Sequence, residues 1–271
     1  MAKFRKKFRD DPHHLDLMKL FPNMVTLAGL CLGISSIRYA LADRFEIAVT
    51  FIVIAALLDA IDGRLARALN ATSKFGGELD SLCDFVNFGL APIFLIYLWS
   101  IKSVPAFGWG AVLFFAICTA IRLARFNSDI DSSLVPQQPK PEWAGKFFTG
   151  IPSPAGALMC LSPLMITFVI ESRFPELKKN FFFVYEPIFV LVWSVVIAML
   201  MASRLPTYSM KKMFIKRKFI SVFLMFFSLL IILAFIEPWL VVLTMGVLYT
   251  ASLPISALHY IRLNNDKSAD A

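Results

Sequence analysis

Apolar stretches long enough to cross a lipid bilayer follow one another along nearly the whole chain, and this restricts the fold more than any other feature. Eight can be read, near 24–41, 46–69, 81–100, 107–126, 154–171, 182–203, 219–236 and 239–260. Each has the roughly 18–25 residues that a hydrocarbon core of about 30 Å demands of a helix. Inside that core the backbone must satisfy its own hydrogen bonds, which a helix does within a single segment. Hydrophobic residues make up 58% of the chain and charged residues only 17%, a balance that argues for a membrane protein rather than a soluble domain. The expected fold class is therefore all-α and polytopic. The first stretch lies behind a polar, basic leader and matches a signal-peptide cleavage site poorly, so it is expected to be retained.

The basic residues orient these spans. Lys3, Arg5, Lys6, Lys7 and Arg9 place the N-terminus in the cytoplasm, and eight spans return the C-terminus to the same side. On that arrangement only Arg38, Arg44, Lys102, Arg173, Lys178 and Lys179, of 27 Lys and Arg residues, fall on the far side. Losing one span would reverse every later loop and destroy the asymmetry. The densest cluster, Lys211, Lys212, Lys216, Arg217 and Lys218, joins spans six and seven. The net charge of +8 is thus accounted for by topology and by anionic headgroups. No aromatic and basic platform lies outside the membrane, so nucleic acid is not an expected partner.

Residues 13–22 read as a short interfacial helix, with Leu17, Leu20 and Phe21 on one face, Asp16 and Lys19 opposite, and Pro22 bending the chain into the first span. An irregular leader is the alternative. The division expected is a basic leader with its interfacial helix (1–22), a membrane core (23–210), and a basic loop with two further spans (211–271). Two loops are long, 127–153 and 204–218, and both face the cytoplasm on this reading. Cys31, Cys83, Cys118 and Cys160 all fall in apolar segments without metal-ligand spacing, as buried free thiols do. His13, His14 and His259 lie near the aqueous ends of the chain and are read as surface residues.

Against this apolar background stand four carboxylates. Asp59 and Asp62 are spaced i, i+3 at the end of the second span, and Asp80 and Asp84 are spaced i, i+4 at the start of the third. Each pair shares a helix face, and a turn near 70–79 would bring the two faces together. An ionised carboxylate deep in a bilayer costs roughly 2.5–3.5 kcal/mol on insertion scales, so four require compensation. Hard oxygen ligands suit Mg²⁺ or Mn²⁺, with a substrate phosphate completing the coordination. Two such ions can clamp a phosphoryl group. Gly63 and Ala66 leave room for a polar ligand beside the helix, Gly76 and Gly77 loosen the turn, and Arg67 can pair with a phosphate oxygen. A buried ion-pair network and the cation relay of a transporter are the competing readings. Four acids outnumber the two nearby arginines, Arg64 and Arg67, and no repeat symmetry of the transporter kind is visible.

The pattern Asp62-Gly63-x2-Ala66-Arg67-x8-Gly76-x3-Asp80-x3-Asp84, with Asp59 three residues earlier, resembles the signature of the CDP-alcohol phosphatidyltransferases without a departure. Further stretches resemble the bacterial, integral-membrane branch of that family that uses L-serine as acceptor. They are Phe21 to Thr26, Leu79 to Pro92, Arg122 to Asn127, Phe148 to Pro154 and Ser203 to Ser209. The likeness covers about 20–210, and the last two spans look generic.

The resemblance implies a six-helix membrane core, often dimeric, in the bacterial cytoplasmic membrane, with two additional C-terminal helices. It implies transfer of a phosphatidyl group from CDP-diacylglycerol to an alcohol, with release of CMP. By the same resemblance Asp59, Asp62, Asp80 and Asp84 hold two divalent metals, and Asp84 is the general base. Gly63, Ala66, Arg67 and Gly76 line the CDP-diacylglycerol site with Asn23 and Thr26, although Asn and Thr equally suit a helix cap. An L-serine carboxylate needs a cationic partner. Arg122 and Arg125 at the end of span four and Arg204 at the end of span six are the candidates. Positive-inside anchoring explains them equally, and a glycerol phosphate or inositol phosphate acceptor would also want basic residues.

Overall fold

Because the spans are apolar on nearly all faces, helix ends are set by prolines and by polar breaks rather than by hydrophobic periodicity. Pro105, Pro187 and Pro238 each open a helix, a position where the missing N–H costs nothing. Ser73 caps another, its Oγ accepting from the Gly76 N–H at 3.0 Å. The structure is a computed structural model that describes residues 17–132, 147–208 and 220–269.

The described helices are α1 (Leu17–Leu41), α2 (Phe45–Ala68), α3 (Lys74–Asp84), α4 (Ala91–Trp99), α5 (Pro105–Ser132), α6 (Ser153–Arg173), α7 (Pro187–Ala202), α8 (Ile220–Ile236) and α9 (Pro238–Ala269). A π-helical turn, Phe85–Leu90, joins α3 to α4 in one rod. Each of the eight apolar stretches thus corresponds to a rod. Among the described residues, five rods are long and apolar enough to cross a membrane by length and composition. The chain is an all-α polytopic membrane protein. α2 carries Asp59, Asp62, Arg64 and Arg67, and α7 and α8 are short.

Three local expectations change. α1 is helical from Leu17 through Pro22, so residues 17–22 continue the first span's helix instead of forming a separate element; residues 13–16 lie outside the described residues. The sixth span begins at Pro187, later than its apolar run, because Phe182–Tyr185 form a 3₁₀ turn before the proline. Gly76 and Gly77 do not loosen a turn. They occupy the first turn of α3 behind the Ser73 cap, and the chain reverses at 69–73, where Asn70 takes a positive φ of 50°. The basic residues 1–12 and 211–218, and most of the long loop (133–146), also lie outside the described residues.

The core sits between α2, α4, α5 and α6, where Ile52, Ile93, Ile96, Phe115, Leu161 and Met165 are buried. The Trp193 Nε1 donates to the Met159 carbonyl at 2.8 Å and ties α7 to α6. Arg173 pairs with Glu237 and ties the end of α6 to the start of α9. α8 contributes no buried residue. Cys83, Cys118 and Cys160 are buried free thiols, whereas Cys31 is exposed on α1.

Two three-residue strands, β1 (Phe147–Thr149) and β2 (Pro206–Tyr208), pair antiparallel, with Phe148 opposite Thr207. Gly150 follows β1 with φ +78°, and its N–H donates to the Leu205 carbonyl at 2.8 Å. A Cβ there would lie 2.8 Å from the Ser203 oxygen and 2.9 Å from that of Met201. Gly150→Ala should therefore destabilise the fold by about 1–3 kcal/mol, read as a lower melting temperature in detergent. An unchanged melting temperature would show that the junction relaxes freely.

Candidate active site

The hairpin of α2 and α3 explains how four carboxylates meet. Asp62 lies six residues before the end of α2 at Ala68, and Asp80 six residues after the start of α3 at Lys74. At 1.5 Å per residue both sit about 9 Å from the hairpin end. Asp59 and Asp84, nine and ten residues in, sit about 14 Å from it. Two tiers of paired acids result.

The ligand oxygens of Asp59, Asp62 and Asp80 all lie within 4.8 Å of one another, an arrangement that could hold a metal ion. Asp84 approaches Asp59 within hydrogen-bonding reach. Asp62 is buried, and its Oδ2 accepts from the Thr26 hydroxyl at 2.7 Å. That bond fixes the carboxylate's orientation and joins α1 to the site. The four acids, Thr26, Gly29 and Asn87 line a cavity of about 10 Å³, room for roughly one water-sized occupant. Among the described residues none of the four acids takes part in a salt bridge. A surplus of close carboxylate oxygens without ion-pair partners is the donor set of a hard divalent cation, and the residues present fit one.

Around this centre the other expected site residues take distinct positions. Asn23 lies beside the start of α3, where a Cβ on Gly76 would come within 3.0 Å of its Oδ1. Gly76 thus permits α1 and α3 to approach. The Arg67 guanidinium folds back towards Gly63, 3.7 Å from where a Cβ would be. Ala66 is half-buried on the same helix.

Arg122 lies within electrostatic range of the acids. It interacts electrostatically with Asp84 and Asp59, while its Nε donates to the Ile151 carbonyl and its Nη1 to the Ser153 hydroxyl. The Gly150–Ser153 junction thereby aims the guanidinium. Arg125 behaves differently: its Nη1 donates to the Ala202 carbonyl at 2.9 Å, tying α5 to α7. Arg204 is exposed just beyond α7.

Two residues had escaped the sequence reading. Tyr249, on the last helix, lies within electrostatic range of Arg122, so α9 belongs to the surroundings of the site. Asn87 lines the acid cavity one turn after Asp84. Its i, i+3 spacing from Asp84 was the signal that could have revealed it. Tyr249 also borders an apolar cavity of about 820 Å³ between α2, α6, α7 and α9.

A family model described as CDP-alcohol phosphatidyltransferase matches residues 19–193. The chain belongs to the CDP-alcohol phosphatidyltransferase family. The match includes every residue of the acidic signature and ends within α7, before α8 and α9. Among curated relatives, a CDP-diacylglycerol–serine O-phosphatidyltransferase of Mycobacterium leprae is 32% identical over 89% of this chain and 75% of its own length. One of Helicobacter pylori is 34% identical over 79% of this chain and 82% of its own. The protein of that name in Saccharomyces cerevisiae is 34% identical over 58% of each chain. Family membership and the apolar helices together make this an integral membrane phosphatidyltransferase.

Proposed function

We propose that this chain transfers the phosphatidyl group of CDP-diacylglycerol to L-serine, giving phosphatidylserine and CMP. The observation that carries the chemistry is the convergence of Asp59, Asp62, Asp80 and Asp84 at the α2–α3 hairpin. The choice of serine is supported by relatives named as serine O-phosphatidyltransferases in Mycobacterium leprae, Helicobacter pylori and Saccharomyces cerevisiae.

In this reading the four aspartates would hold divalent cations, Mg²⁺ or Mn²⁺, two of them by the family resemblance. Cations bound there would offset the charge of the diphosphate. Asn23, Thr26, Gly63, Ala66, Arg67 and Gly76 form the side of the site that takes the nucleotide, with glycine and alanine leaving space beside the helices. The apolar cavity adjoining Tyr249 suits the acyl chains. The serine hydroxyl attacks the phosphorus that bears the diacylglycerol, an oxygen–phosphorus bond forms, and the bond to the departing CMP breaks. Asp84 takes the hydroxyl proton. Arg122, braced by Ile151 and Ser153 and directed towards Asp84, is the best placed of the three arginines for the serine carboxylate. Arg125 and Arg204 stand further down the list because one is engaged by a backbone carbonyl and the other lies exposed.

Purified protein incubated with CDP-diacylglycerol, a divalent cation and one alcohol at a time should release CMP with L-serine. Release with glycerol 3-phosphate, inositol phosphate or choline instead would keep the chemistry and replace the acceptor. No release with any alcohol would overturn the transferase reading.

The site faces the cytoplasm and both termini lie on that side, in the cytoplasmic membrane of a bacterium; the charge asymmetry supports this orientation. Single cysteines introduced at 42–45, 172–180 or 236–238 should react with an impermeant thiol reagent in intact cells. Those at 127–150 or 210–217 should react only after lysis. Labelling near residue 140 from outside would invert the topology.

A further inference from the structure

The apolar cavity between α2, α6, α7 and α9 is a shaft that runs along the helices. On α9 its lining extends from Val241 to Ala251, and on α6 from Ala155 to Ile166. At 1.5 Å per residue each wall is about 15 Å long. The volume of about 820 Å³ lies within the range of small-molecule sites, about 300–1,000 Å³. Ser162 and Thr250 on its walls spend their hydroxyls on their own helices, donating to the Met159 carbonyl at 2.7 Å and the Gly246 carbonyl at 2.8 Å. An apolar cavity offers water no partners, so hydrocarbon is the occupant it suits.

The two ends of the shaft differ. At one, Leu57 lines it two residues before Asp59, and Tyr249 borders it within electrostatic range of Arg122. This end stands level with the deeper tier of acids. At the other, the lining is aromatic. Phe183 meets Phe189 edge-on at 5.0 Å and Phe181 at 6.0 Å, and Phe189 stacks on Trp193 at 6.4 Å. The Trp193 bond to Met159 anchors this row of rings to α6. Phe182, between them in sequence, is exposed and lies outside the lining.

The depth of the acids gives the aromatic end its importance. Asp59 and Asp84 lie about 14 Å from the hairpin end. A lipid whose phosphate is held there starts its acyl chains partway down the bundle. A further 15 Å brings a chain end roughly 30 Å from the hairpin, the full thickness of a hydrocarbon core. A lipid lying free in one leaflet ends its chains at the bilayer midplane, among other chains. A chain started at this depth runs instead into the turn at the opposite end of the helices.

We propose that the shaft holds an acyl chain of the diacyl lipid substrate and that Phe181, Phe183 and Phe189 close its far end, so that this aromatic turn sets the longest chain the enzyme accepts. This rests on the transfer reaction proposed above. A chain that fits reaches the rings without moving them. Each further methylene must displace a ring that its neighbours hold, or draw the phosphate away from the acids.

The test is competition between two CDP-diacylglycerols of different saturated chain length in the same detergent micelles, with a divalent cation and L-serine or whichever alcohol supports CMP release. The lipid products are resolved by mass spectrometry, and each ratio is read against the unaltered chain in the same micelles. The unaltered chain should discriminate against chains above one length. Phe183→Ala should raise kcat/KM for an over-long chain relative to a fitting one at least about 10-fold, the worth of one methylene in an apolar pocket. Phe183→Trp should move the limit the other way, which a loss of folding cannot imitate. Phe183→Leu covers the case in which the alanine variant does not fold, and Phe182→Ala should keep the unaltered profile. An unchanged profile in the folded Phe183 variants, or an equal change with Phe182→Ala, would overturn the proposal and leave the transferase standing. Indifference of the unaltered chain to acyl length would do the same and assign the shaft to bulk lipid. Failure to release CMP from any lipid would remove the reaction itself, and the acyl site with it.

Discussion

Replacing Asp80 or Asp62 by Asn should abolish CMP release almost completely, by at least about 10²- to 10³-fold in kcat, the usual cost of removing one preorganised electrostatic group at a reacting centre. Both carboxylates lie in the group whose oxygens fall within 4.8 Å, so each substitution removes one donor and one negative charge. Asp84→Asn should be comparably severe, because the proton acceptor goes with the charge, a contribution of about 10²- to 10⁴-fold. The variants should still insert and fold, since asparagine is nearly isosteric and relieves crowding among like charges. Chelating divalent cations should produce the same loss in the unaltered protein, and returning Mg²⁺ or Mn²⁺ should restore it. Full turnover after exhaustive chelation would eliminate the metal-dependent mechanism.

The second large effect is expected at Arg122. Arg122→Lys keeps the charge but cannot donate at once to Ile151, Ser153 and a substrate carboxylate, because the ammonium lacks the planar fork. Losing a hydrogen bond to a charged group costs roughly 1.5–3 kcal/mol, so the KM for serine should rise about 10- to 150-fold. The KM for CDP-diacylglycerol should move little, since a lost contact penalises the ligand that used it. Ethanolamine, which lacks the carboxylate, should be a poor acceptor for the unaltered enzyme and no worse for the variant. Equal losses for both substrates would mean that Arg122 serves only to brace the junction after β1.

Much of this architecture was legible because bilayer thickness imposes its length on the sequence. The eight rods, the hairpin and the pairing of Asp59 with Asp62 and of Asp80 with Asp84 follow from span length and helical spacing alone. What escaped depends on contacts between rods, which spacing does not encode. Nothing in the order Gly76-Gly77 says whether a turn or a helix begins there; the Ser73 cap decides it. Arg122 and Arg125 look alike in sequence, three residues apart at one helix end. Yet one donates to Ile151 and Ser153 within electrostatic range of the acids, and the other donates to the Ala202 carbonyl. Asn87 reads as one polar residue in an apolar run until Gly29 and Gly33 of α1 are seen against it. Tyr249 lies beyond the stretch with any motif, and only the packing of α9 brings it near.

The absence of any buried residue on α8 bears on how this lineage varies. A helix that touches the rest of the protein so little is selected for greasiness and length, not for shape. Leucine, isoleucine, phenylalanine and methionine should exchange freely there under mutational scanning, with only charges and prolines purged. α9, whose Val241 is buried and whose Tyr249 lies within electrostatic range of Arg122, does not share that freedom. Evolutionary drift in the C-terminal third should therefore be one-sided, with α8 wandering in sequence while the inner face of its neighbour holds still.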